Sequence, residues 1–223
     1  MNIMLFLRSL SELLYEVMSW FIFWPISLWR AIVHPVRTMH QTEAQLQLPD
    51  DEQFVETVSP PVFLILALLV AQGISTDVLG VDSIVASQRG LAALVSDNTT
   101  LLILHVVVFG LFPALLATRS VRLSGETLTR KNLRPFFFAQ CCPATPFALA
   151  LSLGGTASRH PDTRVQTVGQ VLMSLALLYY LVVQTQWFAG RFARSIPRAF
   201  GDACLCLVSS FSSLIVAGLL FSI

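Results

Sequence analysis

Charge is what this chain has least of: 12% of its 223 residues are Asp, Glu, Lys or Arg, against about one quarter in ordinary soluble domains. So few charged groups cannot cover a water-facing globule. The net charge of +1 lacks the basic excess of a nucleic-acid-binding surface, and no nucleic-acid partner is expected. Cysteine is scarce too. Its four copies form two close pairs, Cys141/Cys142 and Cys204/Cys206, without the spacing of a secreted disulfide framework. HExxH, GxSxG, Walker-type and CxxC patterns are missing, so neither an enzyme nor a cofactor is expected. No repeat runs at a solenoid period. The first thirty residues lack the basic start, short apolar core and cleavage site of a signal peptide, and Glu12 and Glu16 interrupt them; Met1 is expected to begin the mature chain.

What the chain does have is apolar length. Hydrophobic residues make up 55% and mean hydropathy is +0.71. A membrane-spanning helix needs about 20 mostly apolar residues. Residues 101–118, 136–154, 167–188 and 203–223 qualify, and 60–76 is a shorter fifth stretch opened by Pro60 and Pro61, which suit a helix's first turn.

Basic residues assign sides to these five spans. Arg8, Arg30 and Arg37 precede the first; Arg119, Arg122, Arg130, Lys131 and Arg134 lie at 119–135; Arg191, Arg194 and Arg198 lie at 189–200. The alternate segments hold only Arg89, Arg159 and Arg164. The positive-inside rule therefore predicts a cytoplasmic N-terminus and a periplasmic C-terminus. A bacterial inner membrane suits the compact loops.

Residues 1–35 differ in kind. Arg8, Glu12, Glu16, Ser19, Ser27 and Arg30 recur at helical spacings and form one polar stripe. Trp20, Trp24 and Trp29 supply an aromatic belt. The pattern predicts an amphipathic interfacial helix on the cytoplasmic leaflet; the alternative is a sixth span over 13–33. Residues 36–59, with Glu43, Asp50, Asp51, Glu52 and Glu56, are expected to be an acidic cytoplasmic linker. The fold class is thus an all-α integral membrane protein, with an interfacial helix ahead of a five-helix bundle at 60–223.

Several residues are candidates for chemistry. His105 falls about five residues into the second span, where an ionisable group marks a candidate proton or substrate path; the competing reading is a neutral histidine bonded to a neighbouring helix. Pro143 and Pro146 are expected to kink the third span, with Gln140 satisfying a freed carbonyl. Together these four form a candidate transport path. Cys141, Cys142, Cys204 and Cys206 admit three readings: packing as small hydrophobes, acylation, or a zinc site. Arg191, Arg194 and Arg198 share a face if 189–198 is helical, and then suit contact with anionic lipid headgroups. Gln170, Gln184, Gln186 and the serines at 209–213 give the last two spans polar faces that hold helices together. Asn98-Thr99-Thr100 matches the N-glycosylation pattern.

The stretch 120–155 combines a loop carrying Gly125 and Thr127, a basic helix start (TRKNLRPFFFAQ) and a proline-broken span (CCPATPFALAL). It resembles the central part of the Yip-domain membrane proteins, and that resemblance implies a cytoplasmic N-terminal region followed by five spans. The expected function is a non-enzymatic membrane protein that assembles with itself or a partner and organises lipid or membrane protein. The alternative is a permease or channel component, by fold-level analogy to lipid-handling transporter subunits.

Overall fold

The structure, a computed structural model, describes residues 3–50, 52–55, 57–79 and 98–222. Among the described residues every regular element is an α-helix: α1 Ile3–Val33, α2 Pro35–Gln45, α3 Pro60–Leu79, α4 Asn98–Leu123, α5 Arg130–Ser158, α6 Thr163–Arg191 and α7 Ile196–Ser222. Four of them contain segments long and apolar enough to cross a membrane: Pro60–Val78, Leu102–Leu123, Arg130–Ser158 and Thr163–Arg191. This is compatible with an integral membrane protein. The apolar stretches read from sequence lie inside these helices, which run on into their polar flanks. α7 contains the stretch at 203–222. The segment holding Arg89 lies outside the described residues, as do Asp51 and Glu56.

α5 is the central helix, packed against α1, α2, α3, α4 and α6, while α7 leans on α4 and α6. Small side chains let its neighbours come close. At Gly154 a side chain would meet the backbone of Gly169 at 2.9 Å, and at Gly169 one would meet the Gly154 carbonyl at 2.6 Å. Midway along the bundle four helices each contribute rings to one aromatic layer. Phe112 of α4 lies 5.3 Å from Phe147 of α5 and 5.3 Å from Phe211 of α7, and Phe147 stacks on Tyr180 of α6 at 4.4 Å. Such packing is worth about 0.5–1.5 kcal/mol per ring pair beyond area burial.

Consecutive long helices run antiparallel, so the turns at 124–129 and 192–195 share one end of the bundle. Both use the same stop. Glu126 N donates to Val121 O at 3.3 Å and Gly125 N to Arg122 O at 3.2 Å, with Gly125 at φ +74°. Arg194 N likewise donates to Ala189 O at 3.1 Å, with Ala193 at φ +48°. These are six-to-one closures around a left-handed residue. Thr129 then caps α5 by accepting from Asn132 N, and Asp162 caps α6 by accepting from Arg164 N.

α1 crosses the start of α3. Trp24 Nε1 donates to Phe63 O at 3.4 Å, and Trp20, Phe23, Trp24 and Leu28 pack around Ala31, Val58 and Phe63. Of the polar stripe of α1, Glu12 and Ser19 line one cavity and Ser27 and Arg30 another, with Ser19 and Ser27 half-buried and Glu12 and Arg30 exposed.

Within the segment 36–59, expected as a linker, α2 forms over the first part. Pro35 opens the helix, and Met39 and Thr42 are buried, with Val36 packed against the main core. Val36, Met39 and Thr42 span less than two turns, too short a stripe to stand out in so polar a segment. Pro143 and Pro146 do not interrupt α5, which continues through both; Thr145 Oγ1 donates to Cys141 O at 2.8 Å beside them.

Candidate functional site

The end of the bundle that carries the 124–129 and 192–195 turns concentrates the polar chemistry. Gln184 Nε2 donates to Gln140 Oε1 at 2.7 Å, and both amides are buried. Gln140 therefore serves a neighbouring helix and not a freed backbone carbonyl. Tyr180, Gln184 and Trp187 follow the i, i+4, i+7 spacing of one helix face. Gln140 Nε2, Gln184 Oε1, Tyr180 Oη and Trp187 Nε1 have no hydrogen-bond partner among the described protein atoms. A buried polar group left this way costs about 1–3 kcal/mol, so this cluster is a candidate solvation point inside the bundle. Sequence reading named Gln140 and Gln184 but missed Tyr180 and Trp187, whose apolar bodies read as core.

α2 clamps beside this cluster. Thr42 Oγ1 lies 3.2 Å from Cys142 Sγ, the His40 ring lies 4.8 Å from Trp187, and Arg191 Nε donates to Glu43 Oε2 at 3.2 Å. Burial pushes the Glu43 carboxyl above its ordinary value, and Arg191, then His40, pull it partly back.

The three arginines do not share a helical face. α6 ends at Arg191 and α7 begins at Ile196, because the left-handed Ala193 turns the chain between them. Arg191 is held by Glu43 and lies over the Phe136 and Phe192 rings. Arg194 pairs with Asp202 at 2.6 Å, and Arg119 reaches the other oxygen of the same carboxylate at 2.5 Å. Arg198 is exposed.

Cys141, Cys142 and Cys206 are buried in the main core and Cys204 is half-buried. Burial puts the first three beyond the reach of acyl transfer, which needs an accessible thiol. Among the described residues no group of three or more His, Cys, Asp or Glu comes together to hold a metal.

His105 sits at the other side of the aromatic layer. It lines a cavity of about 200 Å³ with Gln72, Ser75, Ser152, Thr156 and Arg159, and its ring lies 6.4 Å from Phe109. Phe109, Phe112, Phe147 and Tyr180 form a continuous chain of rings between it and Gln184. The four proposed path residues thus fall into two groups: Gln140, Pro143 and Pro146 buried within α5, and His105 apart. A larger cavity of about 650 Å³ lies between α1, residues 50–59 and the start of α5; Tyr15, Trp20, Asp50 and Arg134 are among its walls. No protein-family model, curated protein or solved structure matches the chain.

Proposed function

We propose that this is a five-span membrane protein without catalytic chemistry of its own, whose in-plane N-terminal helix organises the lipid leaflet around the bundle. In this reading α3 to α7 cross the bilayer. The end carrying Arg119, Arg130, Lys131, Arg134 and Arg191 faces the cytoplasm by the positive-inside rule, the C-terminus faces the periplasm, and a bacterial inner membrane houses the chain. The likeness to Yip-domain proteins over residues 120–155 belongs to the same reading.

The observation that carries it is the outward stripe of α1. Leu14, Met18, Phe21, Ile22, Ile26 and Trp29 recur three or four residues apart and are 44–75% exposed, while the opposite face packs on α3. Apolar surface of this length demands acyl chains or protein to cover it. A photoreactive side chain at position 21 of the full chain in native membranes is expected to label lipid. A discrete protein adduct in place of lipid adducts would make the stripe a protein interface, either with a second copy or with another membrane protein. Reaction at position 21 with a water-soluble, membrane-impermeant reagent would sink the in-plane placement.

A conduit is the second reading, favoured by the partnerless atoms of Gln140, Gln184, Tyr180 and Trp187 and opposed by the ring layer between them and His105. It requires solute flux in proteoliposomes that Gln140→Ala or His105→Ala abolishes at unchanged protein abundance. Flux indifferent to both substitutions would remove these residues from any path.

A further inference from the structure

The elbow between α1 and α2 gathers Arg30, His34 and Arg37 around one cavity of about 330 Å³, completed by Thr38 and Gln41. No carboxylate is among these walls. Asp202 takes Arg119 and Arg194, and Glu43 takes the exposed Arg191, while among the described residues the exposed Arg122, Arg130, Lys131, Arg134 and Arg198 have no carboxylate partner. Among the described residues Arg30 and Arg37 have no such acidic partner. Arg30, His34 and Arg37 are exposed along this one cavity, so the two guanidinium charges add to one positive field that an anion would complement.

The backbone of the elbow beneath the cluster is held in place. Thr38 Oγ1 reaches both the Arg30 and the His34 carbonyls, at 3.3 and 3.0 Å. Tyr179 Oη fixes Ala31 O at 2.7 Å, and Met39, one turn into α2, is fully buried. His34 occupies the N-cap of α2 without a side-chain cap, and Pro35 follows at the first helical position. The first-turn N–H groups of Val36 and Arg37 therefore have no intrahelical acceptor, and the positive end of the helix dipole adds to the same field. Beside the cations the outward stripe of α1 continues through Ile26, Trp29, Ile32 and Val33, all exposed. Cationic and apolar surface thus meet along one edge.

We infer that this elbow binds the phosphate of an anionic phospholipid, with the acyl chains lying along Ile26, Trp29 and Val33. Arginine forks match phosphate oxygens bidentately, and the adjoining apolar stripe selects a lipid over free phosphate. The inference rests on the in-plane placement of α1 proposed above.

The test uses the full chain purified in mild detergent. Phosphatidylglycerol, phosphatidylcholine and inorganic phosphate are added separately, and binding is read by native mass spectrometry and melting temperature. Phosphatidylglycerol is expected to be retained and to raise the melting temperature, with the other two much weaker. Each arginine removed is expected to weaken retention about fivefold, so Arg30→Gln with Arg37→Gln loses roughly 25-fold. Arg122→Gln with Lys131→Gln, on the helix ends either side of the 124–129 turn, serves as the control and leaves retention unchanged. Should the double glutamine variant accumulate poorly, Arg37→Gln alone and the double lysine variant make the same comparison; the lysines keep most of the binding.

Equal retention of phosphatidylcholine, or no loss in the glutamine variants, overturns the site. A shift reproduced by inorganic phosphate overturns the lipid assignment. Quenching of Trp29 by phospholipids brominated in the acyl chain, measured against Trp29→Phe, separates this inference from the reading beneath it. Quenching without a preference for phosphatidylglycerol sinks the elbow site alone, whereas no quenching sinks the in-plane helix and the site with it.

Discussion

Tyr179 in α6 donates a 2.7 Å hydrogen bond to the backbone carbonyl of Ala31, at the end of α1. Pro35 explains why the bond is needed. Within a continuous helix the N–H of residue 35 would take that carbonyl, but proline has none. Ala31 is fully buried, so water is a poor substitute, and a tyrosine from another helix fills the gap. The contact ties the elbow to the bundle.

Tyr179→Phe removes the donor and leaves the carbonyl buried without a partner. The expected cost is about 1–3 kcal/mol, read as a lower melting temperature together with faster proteolysis near residues 33–35. If the variant melts with the wild type and its elbow resists protease equally, water reaches Ala31 O and the anchoring role is wrong.

Gly169 tests the α5–α6 contact. A Cβ there would lie 2.6 Å from Gly154 O and 2.7 Å from Ser158 N, both backbone atoms that cannot swing aside. Gly169→Ala is expected to force the helices apart at a cost of about 1–3 kcal/mol. Gly190, in the same helix, has nothing within 4 Å of its would-be Cβ, so Gly190→Ala should gain roughly 0.5–1 kcal/mol from helix propensity. Unfolding curves for the pair decide it: equal behaviour would mean that the close approach carries no stability.

The long helices were legible because hydropathy over some twenty residues is a strong, local signal. Residues 60–76, 101–118, 136–154 and 167–188 each fall within a single helix. α2 was not legible, since only Val36, Met39 and Thr42 mark its inner face and its burial depends on residues a hundred positions away, such as Cys142. The arginine face at 191–198 failed for a related reason. Nothing in FARS marks a left-handed stop, because Ala193 stands where glycine usually does. Of the candidate site, the glutamines were readable as polar atoms in an apolar run. Tyr180 and Trp187 were hidden by their size, and the Arg30–Arg37 cluster emerged only once the elbow bent.

That unusual alanine makes a prediction by itself. Left-handed backbone costs an L-residue about 1–2 kcal/mol, and glycine, which adopts it freely, gives back part of the gain as unfolded-state entropy. Ala193→Gly is expected to stabilise the 192–195 turn by up to about 1 kcal/mol. Gly125→Ala, at the equivalent position of the other turn with open space around it, should cost about as much. Melting temperatures moving in opposite directions would bear this out, and a fall in both would show that Ala193 contributes contacts beyond its backbone.

Glu43 is expected to make α2 docking depend on pH. Burial raises its carboxyl above the ordinary 4.5, and Arg191 and His40 only partly restore it. The folded protein therefore holds that proton more tightly than the unfolded chain does, and stability falls as pH rises across the interval. The contribution is fully present below about 4.5 and is lost as pH climbs through the raised value. Hydrogen exchange over residues 35–45, corrected for intrinsic rates, should show protection falling from the acid side toward neutrality. Glu43→Gln cannot ionise, so it should flatten that slope and hold α2 at pH 7 at least as firmly as the wild type, despite losing the ion pair. Protection that rises with pH in the wild type, or a glutamine variant whose α2 exchanges faster at pH 7, would mean that the Arg191 pair outweighs the cost of burying the charge.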